Sequence, residues 1–109
     1  MNNIILSTKL KNAITNAAPD LNLDFKLKTI KVNDDKRGCS GFVINKDNNS
    51  IVYVNTEKST YLKSYLYRYA DSDKDYTGYH NRFANTLEEL ATAIADMLNK
   101  TPAEVGDRR

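Results

Sequence analysis

One segment decides the fold that we predict, the run YLKSYLYRY at residues 61–69. Successive side chains of a strand point to opposite faces of a sheet, so Tyr-x-Tyr-x-Tyr places Tyr65, Tyr67 and Tyr69 on one face. Aromatic residues prefer strands, and we therefore predict a strand over residues 64–70. The alternative is a helix, because helical apolar spacing is also met by Tyr61, Leu62, Tyr65, Leu66 and Tyr69.

Helical patterns flank this segment at both ends of the chain. Apolar residues recur at helical spacing over residues 3–18, and Pro19 stops that helix. Further along, Thr86 and Glu89 form a capping box before an apolar stripe that ends around Asn99.

Strand patterns lie between the two helices. Residues 22–32 alternate, but the apolar phase slips by one residue near Lys28-Thr29, which predicts a bulge. Residues 33–38 are polar and predict a turn or loop. The runs 41–44 and 51–54 are rich in β-branched and aromatic residues, and the short polar segment between them predicts a hairpin.

This order of elements predicts an α+β fold: a small antiparallel sheet of three to four strands flanked by an N-terminal and a C-terminal helix. Two helices on one face of such a sheet leave the other face exposed. We assign residues 1–100 to a single domain and residues 101–109 to a flexible tail.

Composition indicates a cytoplasmic protein. The single cysteine, Cys39, excludes an intrachain disulfide and is typical of a reducing compartment. No apolar run predicts a signal peptide or a membrane span. Residues 1–69 hold eleven Lys/Arg against six Asp/Glu, whereas residues 70–109 hold five against eight. A basic front and an acidic back favour a protein that meets a polyanion on one side, although lysines are also ordinary surface residues.

Tyrosines and cations on one exposed sheet face predict binding of single-stranded nucleic acid. Aromatic rings stack on bases, and positive side chains contact phosphates. The predicted nucleic-acid contacts are Lys26, Lys28, Lys31, Arg37, Tyr65, Tyr67, Arg68 and Tyr69.

The loop at residues 74–83 is unusually aromatic. Exposed aromatic area is costly unless something covers it, so the loop either folds over the sheet edge or binds a partner. The predicted partner contacts are Tyr76, Tyr79, Arg82 and Phe83.

The sequence offers little for catalysis or for metal or cofactor binding, and we predict none of the three. Residues 71–75 have D-x-D-x-D spacing, but the glycine and glutamate that complete a calcium loop are missing. Cys39 with His80 is a weak candidate for a thiolate–imidazole dyad. The alternative for residues 38–41 is a tight glycine turn with a small buried thiol. Residues 36–38 could also contact a phosphate, through the two positive side chains and the backbone N–H groups.

Four strings carry a family resemblance: Gly38–Ile44, Val52–Glu57, Leu66–Ala70, and Lys74–Gly78 with Asn81. Together they resemble the small "middle proteins" of staphylococcal cassette chromosome replication operons, which are encoded between an A-family DNA polymerase and a helicase. The resemblance covers roughly residues 3–100. It implies a non-enzymatic subunit that binds the polymerase and lets it start primers on single-stranded template.

Three functions follow as hypotheses. The first is an accessory subunit that docks on a replication DNA polymerase and contacts single-stranded DNA. The second is a protein-interaction module, such as an inhibitor of a host enzyme, in which the tyrosines are the binding hot spot. The third, an enzyme, needs an acid–base or metal cluster that the sequence does not display.

Overall fold

Over the residues that the structure describes, the chain folds as two helices on one face of a five-stranded antiparallel sheet, in the order α-β-β-β-β-β-α. The computed structural model describes residues 6–32, 36–56, 65–76 and 80–104, and for residues 30–32, 36 and 37 it describes the backbone. The predicted α+β fold is confirmed, with one strand more than expected. The elements are α1 (Leu6–Ala17), β1 (Leu23–Val32), β2 (Lys36–Asn45), β3 (Ser50–Asn55), β4 (Tyr65–Tyr69), β5 (Arg82–Ala84) and α2 (Leu87–Leu98).

The strands follow one another in the sheet as a meander, β1-β2-β3-β4-β5. The predicted hairpin is β2–β3, closed by a turn in which the Asn49 N–H donates to the Asn45 carbonyl at 2.8 Å. Asn49 takes a φ of 61°, which asparagine tolerates better than most residues. The predicted strand over residues 64–70 is confirmed as β4 (Tyr65–Tyr69), and the helical alternative is wrong for these residues; residues 61–64 lie outside the described ranges.

The predicted bulge in β1 and part of the predicted loop at residues 33–38 are wrong. The β1–β2 register runs without a break through Lys28↔Ser40 and Thr29↔Cys39, so β1 has no bulge. Thr29 takes the helix-side position in the alternation, where its hydroxyl lies 3.4 Å from that of Ser7 on α1. The predicted loop over residues 33–38 is replaced at residues 36–38 by the start of β2.

Gly41 of β2 lies where a side chain would meet the backbone of β1. Its φ is +151°, and a Cβ at this position would collide with the Lys26 carbonyl oxygen and lie 2.9 Å from the Leu27 Cα. Only glycine avoids both the backbone strain and the collision. The predicted tight turn at residues 38–41 is therefore wrong, because the glycines lie inside a strand.

The main core lies between the sheet and the two helices. Leu10 and Ile14 of α1 and the stripe from Leu90 to Leu98 of α2 pack on the inner residues of the strands. At the start of α2, the Thr86 hydroxyl accepts from the Glu89 N–H at 3.1 Å, and a Glu89 carboxylate oxygen accepts from the Asn85 N–H. At the other end, the Asn45 side-chain amide donates to the Leu98 carbonyl at 2.8 Å. The hairpin thus satisfies a carbonyl that the helix end leaves without a partner.

Candidate partner-binding face

The tyrosines of β4 lie on the helix-covered face of the sheet, which we call the helix face. Tyr69 is 7% exposed, and its hydroxyl donates to the Met97 carbonyl of α2 at 2.6 Å. Tyr65 and Tyr67 are half-buried and pack against the same core. The alternation along β4 was predicted correctly, but the expectation that its tyrosines face water beside the lysines is wrong.

The other side of the sheet, which we call the open face, carries a row of paired residues across four strands. The row is Lys26, Phe42, Tyr53 and Arg68, each directly opposite the next. Phe42 and Tyr53 are buried, with ring centroids 5.3 Å apart. Because directly opposed side chains share a face, this register creates a second, smaller hydrophobic cluster that also includes Ala70, Ile51 and Leu66.

Arg68 is enclosed within this face. Its exposed fraction is 2%, and its guanidinium carbon lies 4.6 Å from the centroid of the Tyr53 ring. It donates to the Asp75 carbonyl at 2.8 Å and to the Tyr69 carbonyl at 3.1 Å, and it lies 3.5 Å from the Asp75 carboxylate. The Arg68 guanidinium therefore stabilises the fold from inside, and it is not exposed for the nucleic-acid contact that the sequence predicted.

Residues 71–76 fold across the open face and place Tyr76 on the cluster. The Tyr76 ring centroid lies 5.2 Å from that of Phe42 and 5.9 Å from that of Tyr53, both in edge-on orientation. Tyr76 nevertheless stays 51% exposed. The two alternatives were predicted for residues 74–83. Of these, residues 74–76 fold over the sheet with half of the Tyr76 side chain still in water, and residues 77–79 lie outside the described ranges.

Lys26 fixes the same loop from the strand side. Its ammonium group is hydrogen-bonded to the Asp73 carboxylate, an ion pair between two partly exposed side chains. That hydrogen bond lowers the pKa of Asp73 and raises the pKa of Lys26 from their ordinary values. Lys28 is exposed, and its ammonium nitrogen lies 6.0 Å from the centroid of the Tyr76 ring.

Phe83 is the second exposed ring. It lies in β5 opposite Leu66, which places it on the open face, and it is 51% exposed. Its neighbour Arg82 points to the other side: it pairs with Tyr67 in the register, and its guanidinium carbon lies 5.8 Å from the Tyr69 ring centroid. Phe83 therefore lies on the open face and Arg82 on the helix face.

No family model, curated protein or solved structure matches this chain. No helix in the described ranges is long and apolar enough to cross a membrane.

Several predicted residues fall outside what the structure describes. Lys31 and Arg37 lie in strands whose side chains are not described there, and Tyr79, Tyr61, Lys63 and residues 105–109 lie outside the described ranges. Of the twelve predicted contacts, five lie on the open face: Lys26, Lys28 and Tyr76 near the β1 edge, Arg68 buried in β4, and Phe83 in β5 at the other edge. Sequence reasoning missed Phe42 and Tyr53. Their pairing was available from the hairpin, since a four-residue turn over 46–49 sets Phe42 opposite Tyr53.

The chemical candidates of the sequence also have definite positions. Cys39 is fully buried in the core, and burial raises the pKa of its thiol to about 11. Such a thiol stays protonated at neutral pH and out of reach of a substrate, so the hypothesis of a Cys39–His80 dyad is wrong. Within the described ranges, no group of three or more His, Cys, Asp or Glu side chains is placed to hold a metal ion.

Proposed function

We propose that this chain is a non-enzymatic accessory subunit that docks on a protein partner through the open face of its sheet. The observation that carries the proposal is the exposure of Tyr76 and Phe83, the two large hydrophobic side chains that remain about half exposed in the described part of the chain, at 51% each. Aromatic side chains often anchor protein interfaces. Both rings also carry apolar area that a partner would remove from water.

The support beneath Tyr76 makes this ring a suitable anchor. Phe42 and Tyr53 hold it edge-on, and the loop that carries it is fixed by the contacts of Asp73 with Lys26 and of Asp75 with Arg68. A side chain that is already held in place loses less conformational freedom on binding, so more of the contact energy appears as affinity.

For the partner, the family resemblance gives the first candidate, a replication DNA polymerase encoded beside the chain on a mobile element. A host enzyme inhibited by the same face is the alternative partner. In both cases we place the protein in the cytoplasm, as its composition predicts.

Co-purification with a matched pair of variants tests the docking face. Tagged wild type, Phe83→Glu and Asn81→Glu are each used to capture the candidate polymerase after nuclease treatment. Asn81 is exposed and lies two residues from Phe83, so its substitution adds the same charge near β5 but leaves the exposed ring intact. We expect Phe83→Glu to lose the partner and Asn81→Glu to keep it. Equal capture by both variants would refute the role of Phe83 in docking.

A second candidate function, binding of single-stranded DNA, is favoured by one contact, the Lys28 ammonium group near the half-exposed Tyr76 ring. One ring for stacking with one neighbouring cation is a smaller site than the predicted tyrosine row. Anisotropy titrations of a labelled oligothymidine test it, with Lys46→Ala in the hairpin turn as the control for loss of an exposed lysine. If this function is correct, Lys28→Ala binds the oligothymidine more weakly than Lys46→Ala does. The affinity of Lys28→Ala should also depend less on salt concentration than that of Lys46→Ala.

A further inference from the structure

A cleft of about 370 Å³ lies between the end of α1 and the second half of α2, on the helix layer and away from the open face. One wall is Ala17 to Leu21, at the end of α1 and in the turn that follows. The other wall is formed by Thr92, Ala95, Asp96 and Asn99. Its volume falls in the range of sites that hold small molecules or single side chains.

The cleft combines an apolar surface with negative charge on both walls. Its lining residues include three alanines and Leu21, with an aspartate on each wall, Asp20 on one and Asp96 on the other. The C-terminal end of α1 adds the negative end of a helix dipole, and no basic residue lies in the last turn of α1 to offset it. An alkyl chain that ends in a positive group complements both properties.

The two carboxylates are available for such a group. Asp20 forms no ion pair with any other described residue. Asp96 has an ion pair with Lys100 at 3.3 Å, but both side chains are exposed, at 65% and 44%. An exposed pair of this kind contributes little, so a competing cation displaces it at low cost.

We propose that this cleft binds the basic side chain of a protein partner, with arginine as the preferred residue. The planar guanidinium offers donors in several directions, which suits carboxylates on two walls better than the compact ammonium of lysine. This site goes beyond the proposed docking of the open face and does not depend on it.

Chemical-shift titrations of the ¹⁵N-labelled full chain test the proposal. The probes are the capped tripeptide Gly-Arg-Gly, the same peptide with uncharged citrulline in place of arginine, and spermidine. We expect the arginine peptide to shift signals of residues 17–21 and 92–99 with millimolar affinity, and the citrulline peptide to leave them unchanged. Asp20→Asn should lower the affinity for the arginine peptide about two- to fivefold, which corresponds to the loss of one exposed charge pair.

The matched control is Glu88→Gln, which removes the same charge from the first turn of α2, about 12 Å along the helix from Asp96. It should bind the arginine peptide as the wild type does. Equal shifts with citrulline, shifts spread over the whole surface, or an affinity that Asp20→Asn leaves intact would overturn the site. Tighter binding of spermidine than of the arginine peptide would overturn the assignment to a protein side chain.

Discussion

Arg68 and Tyr53 lie directly opposite each other in β4 and β3, with the guanidinium carbon 4.6 Å from the ring centroid. This contact joins the sheet to the loop above it, because the same guanidinium donates to the Asp75 carbonyl. The open face is therefore covered in part by its own loop, and what it offers to a partner depends on how firmly that loop is held.

Removing Arg68 should destabilise the whole domain. Arg68→Ala removes the guanidinium that lies 3.5 Å from the Asp75 carboxylate, in a side chain 8% exposed, and opens a space beside Tyr53. Breaking one side of a buried ion pair costs about 3–5 kcal/mol, and we expect urea unfolding to show a loss of that order.

The exposed ion pair supplies the control for this experiment. Lys26→Ala breaks the contact with Asp73, in which both side chains are substantially solvated, and should change the free energy of unfolding little. Similar losses for Arg68→Ala and Lys26→Ala would contradict the structural role assigned to the buried pair.

Gly41→Ala should destabilise the sheet without touching the open face. A methyl group at a φ of +151° is strained, and it would also collide with the Lys26 carbonyl of the neighbouring strand. We expect a loss of about 1–3 kcal/mol in thermal or urea unfolding. An unchanged melting temperature of Gly41→Ala would contradict this prediction, because it would mean that β1 and β2 can move apart to admit the methyl group at little cost in free energy.

Local patterns were sufficient to predict most of the fold. The capping box at Thr86 and Glu89 located α2, and alternation located β4, because each depends on neighbours close in sequence. β5 was not predicted, because three residues are too few to show a periodic pattern. Arg82–Ala84 becomes a strand only by pairing with β4.

The candidate site was predicted less well, because alternation separates two faces but does not say which face the helices cover. Both rows of β4 are suitable for burial: one consists of tyrosines, and the other contains Leu66 and continues just beyond the strand to Ala70. The outcome depends on long-range contacts. Tyr69 reaches the Met97 carbonyl, and Asp75 comes from a loop beyond the strand to neutralise Arg68.

Tyr69→Phe tests the contact that joins β4 to α2. The substitution keeps the ring but removes the hydroxyl that donates to the Met97 carbonyl at 2.6 Å. The carbonyl still accepts from the Lys100 N–H at 3.1 Å, so we expect the loss of one buried hydrogen bond, about 1 kcal/mol. Tyr67→Phe, in the half-buried neighbour on the same face, serves as the matched control and should cost less. The reverse order would contradict the importance of this hydrogen bond.

Cys39 should make stability fall in alkaline solution. The thiol has a pKa of about 11 in the folded chain against 9.0 for the ordinary group, because burial disfavours the thiolate. Between these values the unfolded chain has released a proton that the folded chain still holds, so the free energy of unfolding decreases as the pH rises. Other groups of the chain change charge over the same pH range, and the comparison is therefore with Cys39→Ala, which lacks the thiol. We expect the stability advantage of the wild type over Cys39→Ala to shrink from pH 9 to pH 11, by at most about 3 kcal/mol.

A second measurement tests the burial of Cys39 directly: a thiol reagent at pH 8 should modify the folded chain far more slowly than the chain in urea. A constant difference between the two proteins across this pH range, together with fast labelling of the folded chain, would show that the thiol is accessible.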